Sequence, residues 1–258
     1  MRKIHEVKHF SSLMHYSSDI VNRVKFAIEN PALAFRWLTK RGNDLTEIEL
    51  TYIARKVLGK GAIVEAGSSD GVDTVRLALQ FPAHQIYAIE PIVEQYEVTK
   101  AKTSNLENVK NFNFALSTNT GLAEMYVGKS GKGIEGMGSS SLLEPTRHTD
   151  EFPEITFNSK QPVNAVTLED FCALHNVSFV DLLWLDVQGL ELKLIKGSED
   201  FLKKSVNLVH MEVSRVELYR GSALYSEVMS YMNKIGFVAL KKRVGRISGN
   251  CLFQNQKL

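Results

Sequence analysis

From Ala62 onward this 258-residue chain alternates short apolar runs with stretches of helical spacing, and that alternation restricts the folds open to it. The run "AIVEA" passes through "GSSDG" into "VDTVRLALQ"; "QIYAIE" precedes a helical pattern near 92–104, and "NFNFALS" follows near 111–117. Strand, helix and strand at this spacing predict parallel strands joined by right-handed crossovers, because a twisted strand and a right-handed helix pack back onto the sheet in only one hand. The pattern resumes with the helix "TLEDFCALHN", the strand "FVDLLWLD", the helix "GLELKLIKGS", the strand "VNLVHMEV" and the helix "SEVMSYMNKIG". Two closing strands, "FVALKKR" and "NCLFQNQ", are separated by a short turn and predict an antiparallel hairpin at a sheet edge. The expected class is α/β, a doubly wound and mostly parallel sheet.

Other segments organise around that unit. Residues 1–43 show helical spacing interrupted by Pro31 and predict an N-terminal helical extension, with residues 44–258 forming the domain proper. Asp44 with Glu47 reads as a capping pair for a helix over "LTEIELTYIARKVLG", stopped at Gly59. "GLAEMYVG" is expected as an additional strand, entered through Thr120 and Gly121. Residues 128–162, rich in Gly, Ser and Pro, are expected to form a long loop, within which "GKGIEGMGSSSLLEP" is the expected lid over the site, with a plain solvated loop as the alternative.

Charge narrows the partners. A net charge of +2 gives no basic field, so a nucleic-acid partner is not expected. The only cysteines, Cys172 and Cys251, lack metal-ligand spacing, and no stretch approaches the roughly 20 apolar residues of a membrane span. A cytoplasmic protein without a membrane span is the expectation.

The turn from Gly67 to Gly71 is the first candidate binding element. In an open α/β sheet ligands collect beyond the carboxyl ends of the strands, and small residues before a helix let a ligand approach free backbone amides. The dinucleotide fingerprint would need glycine at the third and sixth places from Gly67, where Ser69 and Val72 stand, and no Gly-Lys-Ser/Thr follows to make a P-loop. A nucleoside ligand with a small charged end fits better than a pyrophosphate, and Asp70 is available to face an ammonium group. Glu90 ends the second strand, 23 residues after Gly67, where a carboxylate can accept from both hydroxyls of a ribose; the alternative is a helix cap.

The blocks "VEAGSSDG", "AIEP", "FALSTNTGLAEMYV", "GSSSL", "VTLEDF", "DLLWLDVQGLELKLIKG" and "VHMEVSR" occur in an order that resembles FkbM-type S-adenosylmethionine-dependent methyltransferases, over about residues 45–255. The block departs from the family's usual Lys at Trp184 and usual Glu at Gln188. The resemblance implies a class I methyltransferase (Rossmann-like) fold with an antiparallel last strand, S-adenosylmethionine as cofactor, and methyl transfer to a hydroxyl of a sugar or related natural product. Candidate cofactor contacts are Glu65, Gly67, Ser68, Ser69, Asp70, Gly71, Glu90, Ala115 and, by the resemblance, Ser141.

Methyl transfer to an alcohol needs an aligned acceptor and a group to take its proton. Asp186 ends "DLLWLD", and His210 and Glu212 share one face of "VNLVHMEV", so Asp186, Gln188, His210 and Glu212 are expected around one pocket. Asp186 is expected near the methyl donor or acceptor, with His210 or Glu212 as base. The competing readings are a helix cap for Asp186 and a core role for His210. Asp186 and Glu212 alone are too few to specify a metal, and none is assigned. Arg147 and His148 are weak candidates for meeting an anionic acceptor. The extension, with Arg36 and Trp37, is a candidate acceptor cover or homodimer surface. A second functional reading is a module that binds S-adenosylmethionine without turnover.

Overall fold

The structure, a computed structural model, describes residues 48–130 and 134–258; the expected extension over residues 1–43 and the Asp44–Glu47 cap lie outside them. Helix α1 (Leu50–Ala54) precedes β1 (Ala62–Ala66), α2 (Val72–Gln80), β2 (Ile86–Ile89), α3 (Val93–Lys102) and β3 (Val109–Phe112). Next come β4 (Ala115–Leu116), β5 (Gly121–Ser130), a 3-10 turn (Ile134–Ser139), α4 (His148–Glu151) and β6 (Ile155–Val166). The chain then runs through α5 (Leu168–Leu174), β7 (Val180–Leu185), α6 (Glu191–Gly197), α7 (Glu199–Ser205), β8 (Val206–Ser214), α8 (Tyr225–Lys234), β9 (Phe237–Val244) and β10 (Ser248–Asn255).

Seven strands form the central sheet in the order β3-β2-β1-β7-β8-β10-β9. The pairs among β3, β2, β1, β7 and β8 are parallel, while β10 runs antiparallel to both β8 and β9. The expected α/β class and antiparallel last strand are both present. Strands β1, β2 and β7 are buried at every position, which is why they read as continuous apolar runs rather than alternating ones. Val64, Ala66, Leu183, Leu185, Val209 and Met211 fill one core, while Ile63, Leu182, Trp184, Leu208 and Leu252 pack with Leu77 and Phe81 on the other face. Each such buried aliphatic side chain contributes about 1.5–3 kcal/mol.

Two expectations change. "NFNFALS" is not one strand: the chain leaves the central sheet at Asn113, whose Nδ2 donates to the carbonyls of Glu90 (2.9 Å) and Pro91 (3.0 Å), and β4 joins a second sheet of order β4-β6-β5. Nor is 128–162 one long loop, because β6 occupies its second part, antiparallel to β5. Along β6 only Ile155, Val163 and Ala165 are well buried, so its sequence carries little apolar periodicity. Pro162 stands opposite Glu124 of β5, beyond the reach of the two-residue β4, where its missing N–H leaves no ladder bond unmade. Met125, Val127, Val163 and Ala165 give this small sheet its own core, shared with Ile92 and Ala115.

Candidate active site

Strand order reverses between β1 and β7, and the crevice beyond their carboxyl ends is walled by the first turn on one side and Asp186 on the other. The two segments touch through backbone. Gly67 has φ +88°, and a Cβ there would overlap the carbonyl oxygen of Asp186, so both the conformation and the close approach require glycine. Gly71, at φ +74°, faces Thr99, and Ser69 is itself left-handed at φ +48°. The Thr99 hydroxyl holds that strained turn by donating to Ser69 O at 2.7 Å.

Glu90 completes the wall. Its carboxylate accepts from Ser69 N and Ile92 N, both at 2.8 Å, so it braces the turn and caps α3 while still lining the cavity. Burial pushes its carboxyl up to about 7, against the pull of those two amides. Below it, Glu65 is enclosed within the sheet, receives the Thr74 hydroxyl at 2.7 Å, and is pushed by burial up to about 8. Ser68 is 4 % exposed and its hydroxyl has no partner, leaving an unused polar atom in the turn.

The cavity so formed has a volume of about 110 Å³ and opens to solvent. Gly67, Ser69, Glu90 and Asp186 supply its polar side, and Met125, Met137, Leu142 and Leu190 much of its apolar side. Ala115 lines it as well. Asp70 does not: its carboxylate caps Val72 N at 3.1 Å and meets Lys102 Nζ at 3.0 Å, outside the lining. Ser141 stands behind the lining, where its neighbour Ser140 contributes, and its hydroxyl donates to the carbonyl of Gln188 at 2.7 Å.

The four residues expected around one pocket divide. Asp186, Gln188 and Glu212 come together: Gln188 Nε2 donates to Asp186 Oδ1 at 2.6 Å and lies 3.4 Å from Glu212 Oε2. His210 belongs to the core instead. It is 2 % exposed, stacks on Trp184 at a 3.7 Å centroid separation, and has no hydrogen-bond partner on either ring nitrogen. Burial pushes it down to about 3, so it stays a neutral ring within the packing rather than a base at the cavity. Trp184, where a charge stood in the family pattern, serves as the other half of that stack. His148 is likewise buried, among Phe152, Phe157 and Tyr219, which removes it as a surface contact for an anionic acceptor.

Glu191 is the acid that sequence reasoning passed over. Carboxyl oxygens of Asp186, Glu191 and Glu212 all lie within 4.8 Å of one another. Glu191 sits in the first turn of α6 and accepts from Val187 N at 3.0 Å; burial lifts it to about 7. Glu212 is raised well above its ordinary value, by burial first and then by its two acidic neighbours. Asp186 opens onto the cavity, yet protein atoms crowd its carboxyl, and lost solvation pushes it up to about 6 despite the bond from Gln188. Hard oxygens this close can hold a divalent cation, and acidic clusters also occur without one. The only sequence signal for Glu191 was its place in the first turn of a helix; Tyr219, which touches Gln188, carried none.

A doubly wound sheet with an antiparallel last strand, a glycine-framed turn after β1 and carboxylates after β2, β7 and within β8 defines the architecture of class I methyltransferases. The Methyltransferase FkbM domain matches residues 65–239, and the chain belongs to that family. A curated relative, "2-O-methyltransferase NoeI" of Sinorhizobium fredii (strain NBRC 101917 / NGR234), is 27% identical over 197 residues, 76% of this chain and 80% of the relative. Similar solved structures include a fibrillarin/Nop5p complex (TM-score 0.46, 13% identity, 76% of this chain and 73% of that one). Another is a methyltransferase FkbM from Methylobacillus flagellatus KT (TM-score 0.45, 12% identity), of which this chain covers 44% while 76% of its own length is matched. At that level of likeness the fold rests on the sheet order and the family match. Among the described residues no helix is long and apolar enough to cross a membrane.

Proposed function

We propose that the chain is an S-adenosylmethionine-dependent O-methyltransferase acting on a hydroxyl of a carbohydrate, a glycan or sugar nucleotide, or of a related natural product. The observation that carries this reading is the cavity at the strand-order reversal, bounded by the Gly67–Ser69 turn, Glu90 and Asp186. Glu90 stands where it can accept from ribose hydroxyls, and the apolar wall of Met125, Met137 and Leu142 suits an adenine ring. The name of the 2-O-methyltransferase NoeI relative supports oxygen as the acceptor atom.

Bound S-adenosylmethionine supplies a methyl group made electrophilic by its sulfonium. The protein's part is to align an acceptor hydroxyl, keep water out and receive the hydroxyl's proton. Asp186 is the proton acceptor in this reading: a carboxyl near 6 is ionised at neutral pH yet more basic than an ordinary aspartate. Gln188 orients it through the 2.6 Å hydrogen bond, and the crowded acids Glu191 and Glu212 favour a nearby positive charge. A cytoplasmic setting belongs to the same reading, supported by two cysteines that are both free and buried.

Calorimetric titration with S-adenosylmethionine and S-adenosylhomocysteine tests the cofactor. Micromolar binding of either supports it, and binding of neither removes it. Turnover against sugar nucleotides and glycans then separates the enzyme from the alternative, a module that binds the cofactor without transferring its methyl group.

A further inference from the structure

Tyr219 lies between β8 and α8, outside every motif of the sequence, and is 2 % exposed. Its Oη is 2.7 Å from the carbonyl oxygen of Ser139, in the segment that walls the cofactor cavity, and 2.8 Å from Gln188 Oε1. Burial and the acids Glu212, Asp186 and Glu191 push its phenol far above the ordinary range, so it remains an O–H whose one hydrogen is shared between these two carbonyl oxygens in a three-centre bond. On the other side of the same amide, Gln188 Nε2 donates to Asp186. An ionised carboxylate only accepts, so the amide must turn its NH2 toward Asp186 and its oxygen toward the one nearby donor, Tyr219. The backbone of Gln188 is strained as well, at φ +52° for a non-glycine residue, and is held by the Ser141 hydroxyl.

We propose that Tyr219 is a positioning residue whose hydroxyl ties the Ser139 wall of the cavity to the Gln188 amide, so that the aim of Gln188 on Asp186 depends on how that wall is seated. The tie is short because the chain near Tyr219 is laced to the segment just beyond Ser139: Thr146 N and His148 N donate to Leu218 O, and Arg220 N donates to Glu144 O. Gly189 adds to the fit, since a Cβ there would press on the Tyr219 ring at 3.2 Å. Filling the cavity against Met137, Gly138 and Ser140 thereby reports to Gln188 through a single hydroxyl. The consequence for ligand binding rests on the cofactor reading above, whereas the tie itself does not.

The test is Tyr219→Phe in the full chain, with two readouts. In the ligand-free protein the side-chain NH2 resonances of Gln188, identified by their loss in Gln188→Leu, should shift in Tyr219→Phe while other glutamine side chains stay in place. Resonances that do not move overturn the tie. S-adenosylhomocysteine affinity should fall several-fold, up to about tenfold, in each single variant, and the double variant should be no weaker than the weaker single. Losses that multiply independently, or a Tyr219→Phe protein with lower thermal stability and unchanged affinity, overturn the coupling and leave a packing role. If the wild type binds no S-adenosylhomocysteine, the cofactor reading fails and the Gln188 resonances still decide the tie.

Discussion

Strand β7 carries one aspartate near its start and another just past its end, and the protein treats them in opposite ways. Asp181, at the amino end of the sheet, is fully enclosed. It accepts Leu58 N at 2.9 Å, Lys60 N at 2.7 Å and Gly61 N at 2.9 Å, with His84 Nε2 at 3.3 Å. Burial alone would raise its carboxyl, yet His84 and the three amides bring it down to about 2. Asp186, five residues on, has two other acids within 4.8 Å and one amide donor, and is pushed up to about 6. The first is a fully compensated charge that fastens α1 and β1 to β7. The second is kept short of partners at the place where a ligand can supply them, and that contrast separates an anchor from a site more clearly than residue type does.

Removing the anchor should have the largest effect. Asp181→Ala orphans three amides and should cost roughly 3 kcal/mol of stability in denaturant titration, with S-adenosylhomocysteine affinity kept by the folded fraction. A midpoint equal to wild type would erase the contrast. Asp186→Asn should do the reverse: stability unchanged or slightly raised, because one like charge leaves the cluster, and turnover reduced at least about 100-fold with the sugar acceptor found by screening. Undiminished turnover would return Asp186 to the role of helix cap.

Glu90→Ala lies between the two. Because Glu90 braces Ser69 and Ile92 as well as facing the cavity, the variant should lose both melting temperature and about tenfold in S-adenosylhomocysteine affinity. A loss of stability alone would make it a brace only.

The remaining effect is in pH. Glu65, Glu90 and Glu191 are raised in the folded state, so the native protein holds extra protons between the ordinary glutamate value and their folded values of about 7 to 8. Stability of the ligand-free protein should therefore fall as pH rises through that window, and Glu65→Gln should flatten the slope. Asp181 acts with the opposite sign, its contribution being lost only as pH falls from about 4 toward 2. A melting temperature that climbs from pH 5 to 8 would contradict the raised values of these three acids.

Much of the fold was legible because it repeats a local rule. The continuous apolar runs of β1, β2 and β7 and the closing hairpin announce themselves in short windows. The second sheet did not, since β6 buries few residues and depends on pairing with β5 across a distance that no window spans. Within the site, Gly67, Glu90 and Asp186 were legible as residues at strand ends. His210 was not, because alternation along β8 gives its face but not its depth, and the Trp184 stack that encloses it comes from another strand.

By itself, then, the sequence determined most of the strands and helices around the central sheet, that this sheet is mostly parallel, and which of its strand ends carry acids, because propensity and periodicity act over a few residues. Tertiary structure alone decided which acids are satisfied. Asp181 and Asp186 share a strand and a residue type, and only the approach of the Leu58–Gly61 backbone to one, and of Glu191 and Glu212 to the other, gives them opposite electrostatics. Such energies depend on distance and solvent exposure between segments far apart in the chain, and those are set when the sheet closes over its two cores.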